Sequence, residues 1–528
     1  MTTLQTKVLI IGAGPTGLMM ACQLARHKVP FIIIDQKKGI TKASKALAVQ
    51  ARTMEVYQQM GIAQEALRRG NIGKAVNFLV KGEAVRRIHL EEIGKGLSPF
   101  PYVHILPQNE NEALLQQFLS TEQAKVIWST QLESFTQSEQ EVEAIIIDEQ
   151  GERQTIIADW LVGADGSRSM VRKELGMAFS GDTHEQTFFV ADSQVEWEHE
   201  DEELYVCLDK EDFLAFFPMR GKGRFRIIGA LPAEIESTED LVFKEVIKEV
   251  LPKVNINLTI QKTDWFQTYK IHHRIAPDFQ RERCFLVGDS AHIHSPVGGQ
   301  GMNTGLLDAY NLAWKLALVV QGKADDSLLG SYTEERLPFA KELVKSTDKA
   351  FDMIVSPNPI VRFFRLNIFP SLFKVATTQD QVREFAFRRI SQIGISYKGY
   401  SINREHKTNA FLAKAPNAGD RFPYIETEDG NSFDWLTGTA FKVLYFYSTR
   451  KEKKIVQLKN YFTLAKIEAE LLQFDKERNS VYFEELGIKE DALFIVRPDM
   501  YIGYRSGSVD LLDLEVYFNR LLGEEVEV

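Results

Sequence analysis

Three glycines, Gly12, Gly14 and Gly17, follow the apolar run Val8–Ile11 and precede residues that recur at helical spacing. A second apolar run, Phe31–Ile34, comes next, so the segment predicts a strand, a helix and a second, parallel strand. In such a unit the first glycine permits a tight turn, the second lets a phosphate approach the backbone, and the third lets the helix pack on the sheet. The segment therefore predicts an α/β fold with a Rossmann-like core.

An acidic residue, Asp35, ends the second strand, where its carboxylate can accept hydrogen bonds from ribose hydroxyls. The helix start between the two strands offers free N–H groups and a partial positive charge to phosphates. We therefore expect a dinucleotide to bind here, with Pro15, Thr16 and Gln36 beside the glycines and Asp35. The alternative is a glycine-rich turn that binds no ligand.

A second glycine-rich segment, far along the chain, repeats the order of strand, turn and helix. Cys284–Val287 predicts a buried strand that ends in Gly288-Asp289, and Leu306–Val320 predicts a long helix. A carboxylate at that strand end can bind a sugar-alcohol chain, and N–H groups at the helix start can stabilise negative charge on a ring. The candidate residues of the turn and the helix start are Pro296, Gly299, Gly301, Met302 and Asn303.

Two histidines, His292 and His294, stand inside this second turn. They have no cysteine or carboxylate partner at the spacing of a metal site. We therefore expect packing or hydrogen-bonding roles for both, and no metal site is predicted.

Composition limits the class of protein. The net charge of −10 disfavours nucleic acid as a partner, and no run of about twenty apolar residues suggests a membrane-spanning helix. The N-terminus lacks the apolar core of a signal peptide. The three cysteines, Cys22, Cys207 and Cys284, form no CxxC pair, which fits a reducing compartment. We therefore expect a cytoplasmic protein without nucleic-acid or membrane partners.

The 528 residues are enough for two or three domains. Residues 1–180 and 271–350 are predicted to form the nucleotide-binding domain, with an excursion near 75–105 into the next domain. Alternating apolar and polar residues over 181–270 predict an inserted, mostly antiparallel β domain for the substrate. We expect a helical connector over 351–400. A third α/β domain is expected over 401–528, with a charged helical segment near 463–473.

Several further segments match a known family in order along the chain. They are Ala51-Arg52-Thr-Met-Glu, Gln108 with Glu112, Gly163-Ala-Asp165-Gly166, Gly288-Asp289, and Tyr332-Thr-Glu-Glu-Arg336-Leu-Pro338. With the glycine motifs, they resemble the para-hydroxybenzoate and phenol hydroxylase family of single-component flavoprotein monooxygenases. The end of the chain, with Ala418–Pro423 and Val496–Asp499, resembles the thioredoxin-like tail of the phenol and polyketide hydroxylase branch. That tail has no CxxC, so no thioredoxin chemistry is implied.

The resemblance implies FAD as the cofactor and NADH or NADPH as a transient reductant. The three N-terminal glycines would bind the pyrophosphate of FAD and Asp35 its adenosine ribose. Arg52 and Gln108 would contact the flavin side of FAD, and Asp165 would lie near the pyrophosphate. Asp289 would bind the ribityl chain, and Pro296 would lie beside the reactive flavin edge. The pyrimidine ring would face Gly301, Met302 and Asn303. Pro296 and Arg52 are the candidate catalytic residues.

The chain departs from the family pattern at two positions. Lys45 stands where relatives often have arginine, so the planar guanidinium is lost. Leu47 stands where phenol hydroxylases carry an aspartate near the substrate hydroxyl. Deprotonation of a simple phenol by that acid is therefore disfavoured.

The resemblance implies hydroxylation of an aromatic or polyketide-like molecule by a flavin C4a-hydroperoxide formed from dioxygen. A cavity between the core and the β domain would hold the substrate, lined by Phe213, Phe216, Phe217 and Met219, although these residues also fit an ordinary sheet core. His104 or Arg274 could polarise a substrate oxygen.

Alternative functions stay open at this point. They are an FAD-dependent halogenase or reductase and a flavin-binding sensor without turnover. No Trp-x-Trp motif of the halogenases is present, and no cysteine pair of a disulfide reductase. The sequence leaves a homodimer open and does not choose between NADH and NADPH.

Overall fold

A computed structural model describes residues 3–41, 46–209, 213–232, 235, 241–295, 297–355, 358, 361, 379–406, 409–449 and 451–523. Its architecture is the predicted α/β class, with a Rossmann-like sheet, an inserted mostly antiparallel sheet and a C-terminal α/β unit. Among the described residues, no helix is both long enough and apolar enough to cross a membrane.

The strands of the described residues fall into five sheets. In chain order they are β1 (Thr3–Ile11), β2 (Phe31–Ile34), β3 (Ala48–Val49), β4 (Asn71–Ile72), β5 (Ala75–Val80), β6 (Glu83–His89), β7 (His104–Ile105), β8 (Gln131–Gln137), β9 (Val142–Ile147), β10 (Arg153–Gly163), β11 (Ser180–Glu196), β12 (Leu204–Leu208), β13 (Phe213–Pro218), β14 (Arg224–Ala230), β15 (Thr259–Ile275), β16 (Gln280–Arg281), β17 (Cys284–Leu286), β18 (His292–Ile293), β19 (Arg404–His406), β20 (Glu426–Thr427), β21 (Gly430–Asn431), β22 (Phe441–Tyr447), β23 (Ala469–Asp475), β24 (Ala492–Val496) and β25 (Ile502–Ser506).

Helices cover the sheets and join them. In chain order they are α1 (Pro15–Arg26), α2 (Ala51–Gln59), α3 (Ala63–Arg69), α4 (Gln108–Thr121), α5 (Met170–Glu174), α6 (Phe243–Val254), α7 (Gly301–Val320), α8 (Gly330–Val355), α9 (Asp380–Ile390), α10 (Glu452–Leu464), α11 (Ser480–Glu485) and α12 (Leu511–Leu522).

The first sheet places the two glycine-rich segments at one edge. Its strand order is β16-β17-β10-β1-β2, and β17, β10, β1 and β2 run parallel. Ile11 lies opposite both Gly163 and Ile34, and Gly163 lies opposite Leu286. Because parallel strands all end at the same edge, the residues that follow these four strands come together there.

The second sheet has eight strands in the order β18-β15-β11-β14-β13-β12-β5-β6. Every pair in it is antiparallel except β12 with β5. One face packs against α6 through Phe189, Phe216 and Phe225, which are all buried. The alternation of side chains along a strand turns Asp192 and Arg226, a directly opposed pair, to the other face.

The C-terminal sheet has the order β19-β25-β24-β22-β23 and mixes parallel with antiparallel pairs. Its central strands β22 and β24 are buried along their whole length, which their sequences explain, since Lys442 is the one charged residue in the two strands. The helix predicted near 463–473 is wrong, because α10 ends at Leu464 and Ala469–Asp475 is strand β23, paired with β22. Pairing with an apolar strand outweighs the local helix preference of this charged segment.

Candidate active site

The first glycine-rich turn is built so that only glycine fits at two positions. Gly12 has φ of +102°, and a Cβ there would overlap the carbonyl oxygen of Ala164. A Cβ at Gly17 would overlap the carbonyl oxygen of Gly12, so the close contact of α1 with the turn depends on this glycine. Gly14, by contrast, has open space within 4 Å of a Cβ position. That open space lies at the N-terminus of α1 and is where a pyrophosphate would approach.

The start of α1 keeps its N–H groups available. Pro15 is the first residue of the helix and Gly14 the N-cap. Within the part of the chain that the structure describes, no side chain caps this end, and the first turn contains no acidic residue. Asp35 lies beside the turn and is buried: its Oδ2 accepts from the N–H of Ala13 at 2.7 Å and its Oδ1 from that of Lys37 at 2.8 Å. The neighbouring Gln36 is exposed.

Thr16 brings the two glycine-rich segments into contact. A Cβ at Gly288 would lie 2.6 Å from Oγ1 of Thr16, and Gly305 in α7 packs against the same side chain. Gly288 has φ of +62°, and its N–H donates to Oδ2 of Asp308 at 3.1 Å. Asp289, next in the chain, has an exposed side chain in a short 3-10 turn after β17.

Asp165 follows β10 at the same edge. Its carboxylate accepts from Oγ of Ser169 at 2.6 Å and from the N–H of Met170 at 2.7 Å, at the start of α5. Burial raises the pKa of this carboxyl above its usual value. The structure therefore places Asp165 close to the first glycine turn, because Ala164 contacts Gly12.

The start of α7 is tied to the segment Ala46–Gln50 by Asn303. Its Oδ1 accepts from the N–H of Gln50 at 2.8 Å, and its Nδ2 donates to the carbonyl oxygens of Ala48 and Gly299, each at 2.9 Å. Gly299 has φ of +62°, and a Cβ there would meet the side chain of Ala48 at 2.9 Å. The fully buried Asn303 side chain therefore positions the turn.

Two other predicted residues of this turn differ in their surroundings. Gly301 opens α7, and a Cβ there would lie 3.7 Å from Nε2 of His294. Met302 is half-buried and packs on the main core, with its sulfur 3.7 Å from Nδ2 of Asn111. Pro296 and Lys45 lie outside the described residues.

His292 belongs to a buried charge network, as expected for a hydrogen-bonding residue. Its Nε2 lies 2.7 Å from Oδ2 of Asp308, whose Oδ1 accepts from Nε of Arg336 at 2.7 Å. Nε2 of His294 is buried and has no hydrogen-bond partner among the described residues. Nδ1 of the same ring lies 2.8 Å from the carbonyl oxygen of Ser295. Burial lowers the pKa of His294 to about 4.

Gln108 anchors the other end of the segment that leads to Ala46. At the start of α4, its N–H donates to the carbonyl oxygen of Ala46 at 3.0 Å, and its Nε2 donates to Oε1 of Glu112 at 2.9 Å. Oε2 of Glu112 accepts from the N–H of Thr41 at 2.9 Å. These contacts fix both flanks of residues 42–45.

Arg52 makes its side-chain contacts within α2 and with the C-terminal unit. Its side chain is fully buried: Nη1 pairs with Glu55 at 3.0 Å and Nη2 donates to the carbonyl oxygen of Asp499 at 2.7 Å. Tyr501 stacks near the guanidinium at 5.2 Å, and Arg421 shares Glu55. This placement differs from the expected flavin contact, because the C-terminal unit occupies the guanidinium.

The predicted substrate residues do not come together on one surface. Phe216 points into the core between the sheet and α6, with its ring 4.5 Å from that of Trp197, so its expected role in lining a cavity is not supported. His104 is buried, and its Nε2 contacts the carbonyl oxygen of Ala66 at 3.0 Å. Met219 is half-buried at the end of β13, and Arg274 donates to Oγ1 of Thr183 at 3.2 Å.

Arg226 is the residue that sequence reasoning missed. It is fully buried, donates from Nε and Nη2 to both carboxylate oxygens of Asp192 at 2.7 Å, and donates from Nη1 to the carbonyl oxygen of Ala46 at 3.1 Å. The second sheet therefore holds the segment that also contacts the start of α7. The sequence signal for a buried, paired arginine was its position between two apolar residues, Phe225 and Ile227.

Three features of the described residues fit the FAD that the fold implies. They are the open position at Gly14, the uncapped start of α1 and the buried Nε2 of His294 beside Gly301. The first two suit a pyrophosphate and the third a polar group of a ring.

Comparison with known proteins agrees with this arrangement. The sequence profile of the family described as FAD binding domain matches residues 5–347. The chain is 32% identical over 355 residues to 6-methylpretetramide 4-monooxygenase of Streptomyces rimosus, covering 67% of this chain and 63% of that protein. It is 30% identical over 455 residues to pentachlorophenol 4-monooxygenase of Sphingobium chlorophenolicum, covering 84% of this chain and 80% of that protein.

Solved structures share the fold over the whole chain. The flavin-dependent monooxygenase PieE, in complex with FAD and substrate, superposes with a TM-score of 0.79 at 21% identity, over 99% of this chain and 100% of that one. Anhydrotetracycline hydroxylase OxyS from Streptomyces rimosus superposes with a TM-score of 0.77 at 23% identity and the same coverage. These structures show the shared fold, and the family profile and the relatives show that the chain is an FAD-dependent monooxygenase and belongs to the aromatic hydroxylase family.

Proposed function

We propose that the chain hydroxylates an aromatic or polyketide-like small molecule, with FAD, dioxygen, and NADH or NADPH as reductant. The observation that carries the proposal is the position of Ala46–Gln50, which contacts the start of α7 through Asn303 and the second sheet through Arg226. A ring held beside this segment would lie between the two units. Relatives named for 6-methylpretetramide and pentachlorophenol support the substrate class.

One end of FAD would lie on the first glycine turn. Gly12, Gly14 and Gly17, with Pro15 and Thr16, would receive the pyrophosphate, because the N–H groups of α1 are open there. Asp35 and Gln36 would face the adenosine ribose, and Asp165 would stand near the phosphates from β10.

The flavin end would lie on the second turn. Asp289, exposed after β17, would accept from the ribityl hydroxyls. Gly299, Gly301, Met302 and Asn303 would present the start of α7 to the pyrimidine ring, where the helix dipole stabilises negative charge. Gln108 would act from α4, and Pro296 would stand beside the reactive edge.

When bound and reduced, FAD supplies the activation of dioxygen: one oxygen atom goes to the ring, the other leaves as water, and the nicotinamide provides two electrons. The residues of the chain position the ring and exclude water. Phe217 is opposite Arg226 in the sheet, so Phe213, Phe217 and Met219 are the candidates for an apolar wall. Leu47 stands where phenol hydroxylases carry an aspartate, so no acid at that position removes a substrate proton.

We also propose that the domains have separate roles in binding the cofactor and the substrate. Residues 1–180 and 271–350 would hold the cofactor, and 181–270 the substrate. The connector 351–400 and the thioredoxin-like unit 401–528 would brace the cofactor domain, because Arg497 of that unit pairs with Glu335 of α8 at 2.6 Å.

The test is a screen of ring-bearing compounds that follows NADH and NADPH oxidation by the flavin-loaded protein. We expect a hydroxylated ring to stimulate oxidation and to yield, by mass spectrometry, a product heavier by one oxygen atom. Stimulation with hydrogen peroxide as the only product would favour a reductase or oxidase. Incorporation of halide instead of oxygen would favour a halogenase, and the absence of any stimulation would favour a flavin-binding sensor.

A further inference from the structure

Three side chains with metal-binding atoms meet where α8 crosses the second sheet. They are His184 of β11, His273 of β15 and Asp348 of α8. The pairing of β11 with β15 breaks register between Thr183 and Thr187, so His184 lies in a bulge. Because a bulge turns a side chain out of the regular alternation, it brings His184 and His273 together although they are not opposed in the ladder.

The spacing of the donor atoms matches that of a small divalent ion. Nε2 of His184 and Nε2 of His273 each lie 3.3 Å from Oδ1 of Asp348. A tetrahedral zinc ion with bonds of about 2.1 Å has its donor atoms about 3.4 Å apart. One donor atom from each residue lies within 4.8 Å of the other two, and the imidazole rings are 4.6 Å apart at 74° to each other. Edge-to-face rings of this kind can direct two nitrogens toward one point.

The donor set and its exposure also suit such an ion. Two imidazole nitrogens with one carboxylate oxygen form a mixed donor set that zinc accepts, and the imidazoles disfavour magnesium and calcium, which prefer oxygen ligands alone. The side chains of His273, His184 and Asp348 are 6%, 21% and 42% exposed, so the site is closed on the sheet side and open toward solvent at Asp348. The open side gives an entry path and leaves a position for water.

We propose that His184, His273 and Asp348 bind one divalent transition-metal ion of the zinc class, with water completing the coordination. Arg274, the residue after His273, pairs through its backbone with Ile293 of β18, the strand that leads into the second glycine turn. The ion therefore ties α8 to the edge of the second sheet directly behind that turn. Its role is to brace this junction, and it takes no part in the hydroxylation.

The test uses untagged, flavin-loaded protein that has been treated with a chelator and dialysed. Zn²⁺ titrated by calorimetry is expected to bind at one ion per chain and to raise the melting temperature, because a ligand of the native state stabilises it. Co²⁺ should give absorption bands at wavelengths beyond those of the flavin. Asp348→Asn and His184→Gln should each weaken binding by at least about tenfold.

The matched control is His89→Gln, which removes an exposed histidine from β6, at the opposite edge of the same sheet. It is expected to leave the affinity for Zn²⁺ unchanged. The proposal is overturned if the wild-type protein shows no saturable one-to-one binding, or if Asp348→Asn and His184→Gln bind Zn²⁺ as the wild type does. Flavin content and the far-ultraviolet spectrum confirm that each variant is folded before it is titrated.

Discussion

Nη1 of Arg226, in the middle of the second sheet, donates to the carbonyl oxygen of Ala46 at 3.1 Å, so one buried guanidinium joins the sheet to the segment beside α7. Arg226→Met would break this contact and leave the carboxylate of Asp192 buried without its counter-ion. Loss of one partner of a buried pair costs about 3–5 kcal/mol. We expect the free energy of unfolding in urea to fall by that amount.

The double variant Arg226→Met, Asp192→Leu separates the two effects of this change. It removes the unpaired charge, so most of the lost stability should return, whereas the contact with Ala46 stays broken. Substrate-stimulated NAD(P)H oxidation should therefore remain impaired in the double variant. Full recovery of both properties would show that Arg226 serves the stability of the sheet alone.

The glycines of the first turn offer a pair of variants with opposite expected effects. Gly17→Ala forces a Cβ onto the backbone of Gly12, so it should destabilise the fold. Gly14→Ala has open space and an ordinary φ of −76°, so it should fold normally but lose affinity for FAD. Thermal unfolding without added flavin and FAD titration by fluorescence measure the two properties separately.

Gly330→Ala is the control for both glycine variants. Gly330 has open space around a Cβ position and begins α8 with φ of −58°, so the change should be neutral or stabilise the helix by up to about 1 kcal/mol. If Gly14→Ala retained the FAD affinity of this control, the assignment of that helix start to the pyrophosphate would be abandoned.

A variant of Arg52 distinguishes a structural role of this residue from contact with the flavin. In the structure its guanidinium joins Glu55 to Asp499. Burial acts to lower the pKa of Arg52, but Tyr501 and Glu55 outweigh it and hold the pKa above its usual value. Arg52→Met should lower the free energy of unfolding by about 1–3 kcal/mol, because the buried carbonyl of Asp499 loses its donor while Glu55 keeps Arg421 as a counter-ion. It should leave FAD affinity within about twofold of wild type. A loss of FAD affinity at unchanged stability would restore the flavin contact that the family resemblance implies.

The elements that the sequence predicts well are those with a local pattern. The strand, glycine turn and helix around Gly12, and the long helix α7, follow from apolar spacing and from the conformations that glycine allows. The surroundings of Arg52 and Phe216 do not follow from the sequence, because they depend on contacts distant in the chain. Arg52 meets Asp499 only after the C-terminal unit has packed, and the alternation in β13 does not say which face meets α6.

Asp289 is the predicted partner of the ribityl chain. Asp289→Asn should weaken FAD binding, since a hydrogen bond to a charged group contributes about 1.5–3 kcal/mol, or roughly 10- to 100-fold in the dissociation constant. Asp326→Asn, a change of another exposed aspartate that pairs with Arg283 at 3.5 Å, is the control and should bind FAD normally. Equal FAD retention by the two variants after gel filtration would remove Asp289 from the site.

The stability of the protein should depend on pH through His294, whose pKa burial lowers to about 4. An unfolded histidine has a pKa of about 6.5, so between pH values of about 4 and 6.5 the unfolded chain binds more protons than the folded one. Stability should therefore be fully present above about 6.5 and decline as the pH falls toward 4, by on the order of 1–3 kcal/mol from this group.

His27, whose pKa burial lowers to about 3, contributes in the same direction, so the wild-type curve contains both groups. His294→Gln removes one of them and should flatten the dependence of the unfolding free energy on pH between about 4 and 6.5. His89→Gln changes an exposed histidine and should leave the wild-type slope intact.

Since a buried Nε2 without a partner among the described residues also suits a flavin contact, added FAD should protect the wild type more than His294→Gln at neutral pH. Equal protection would assign His294 to packing alone.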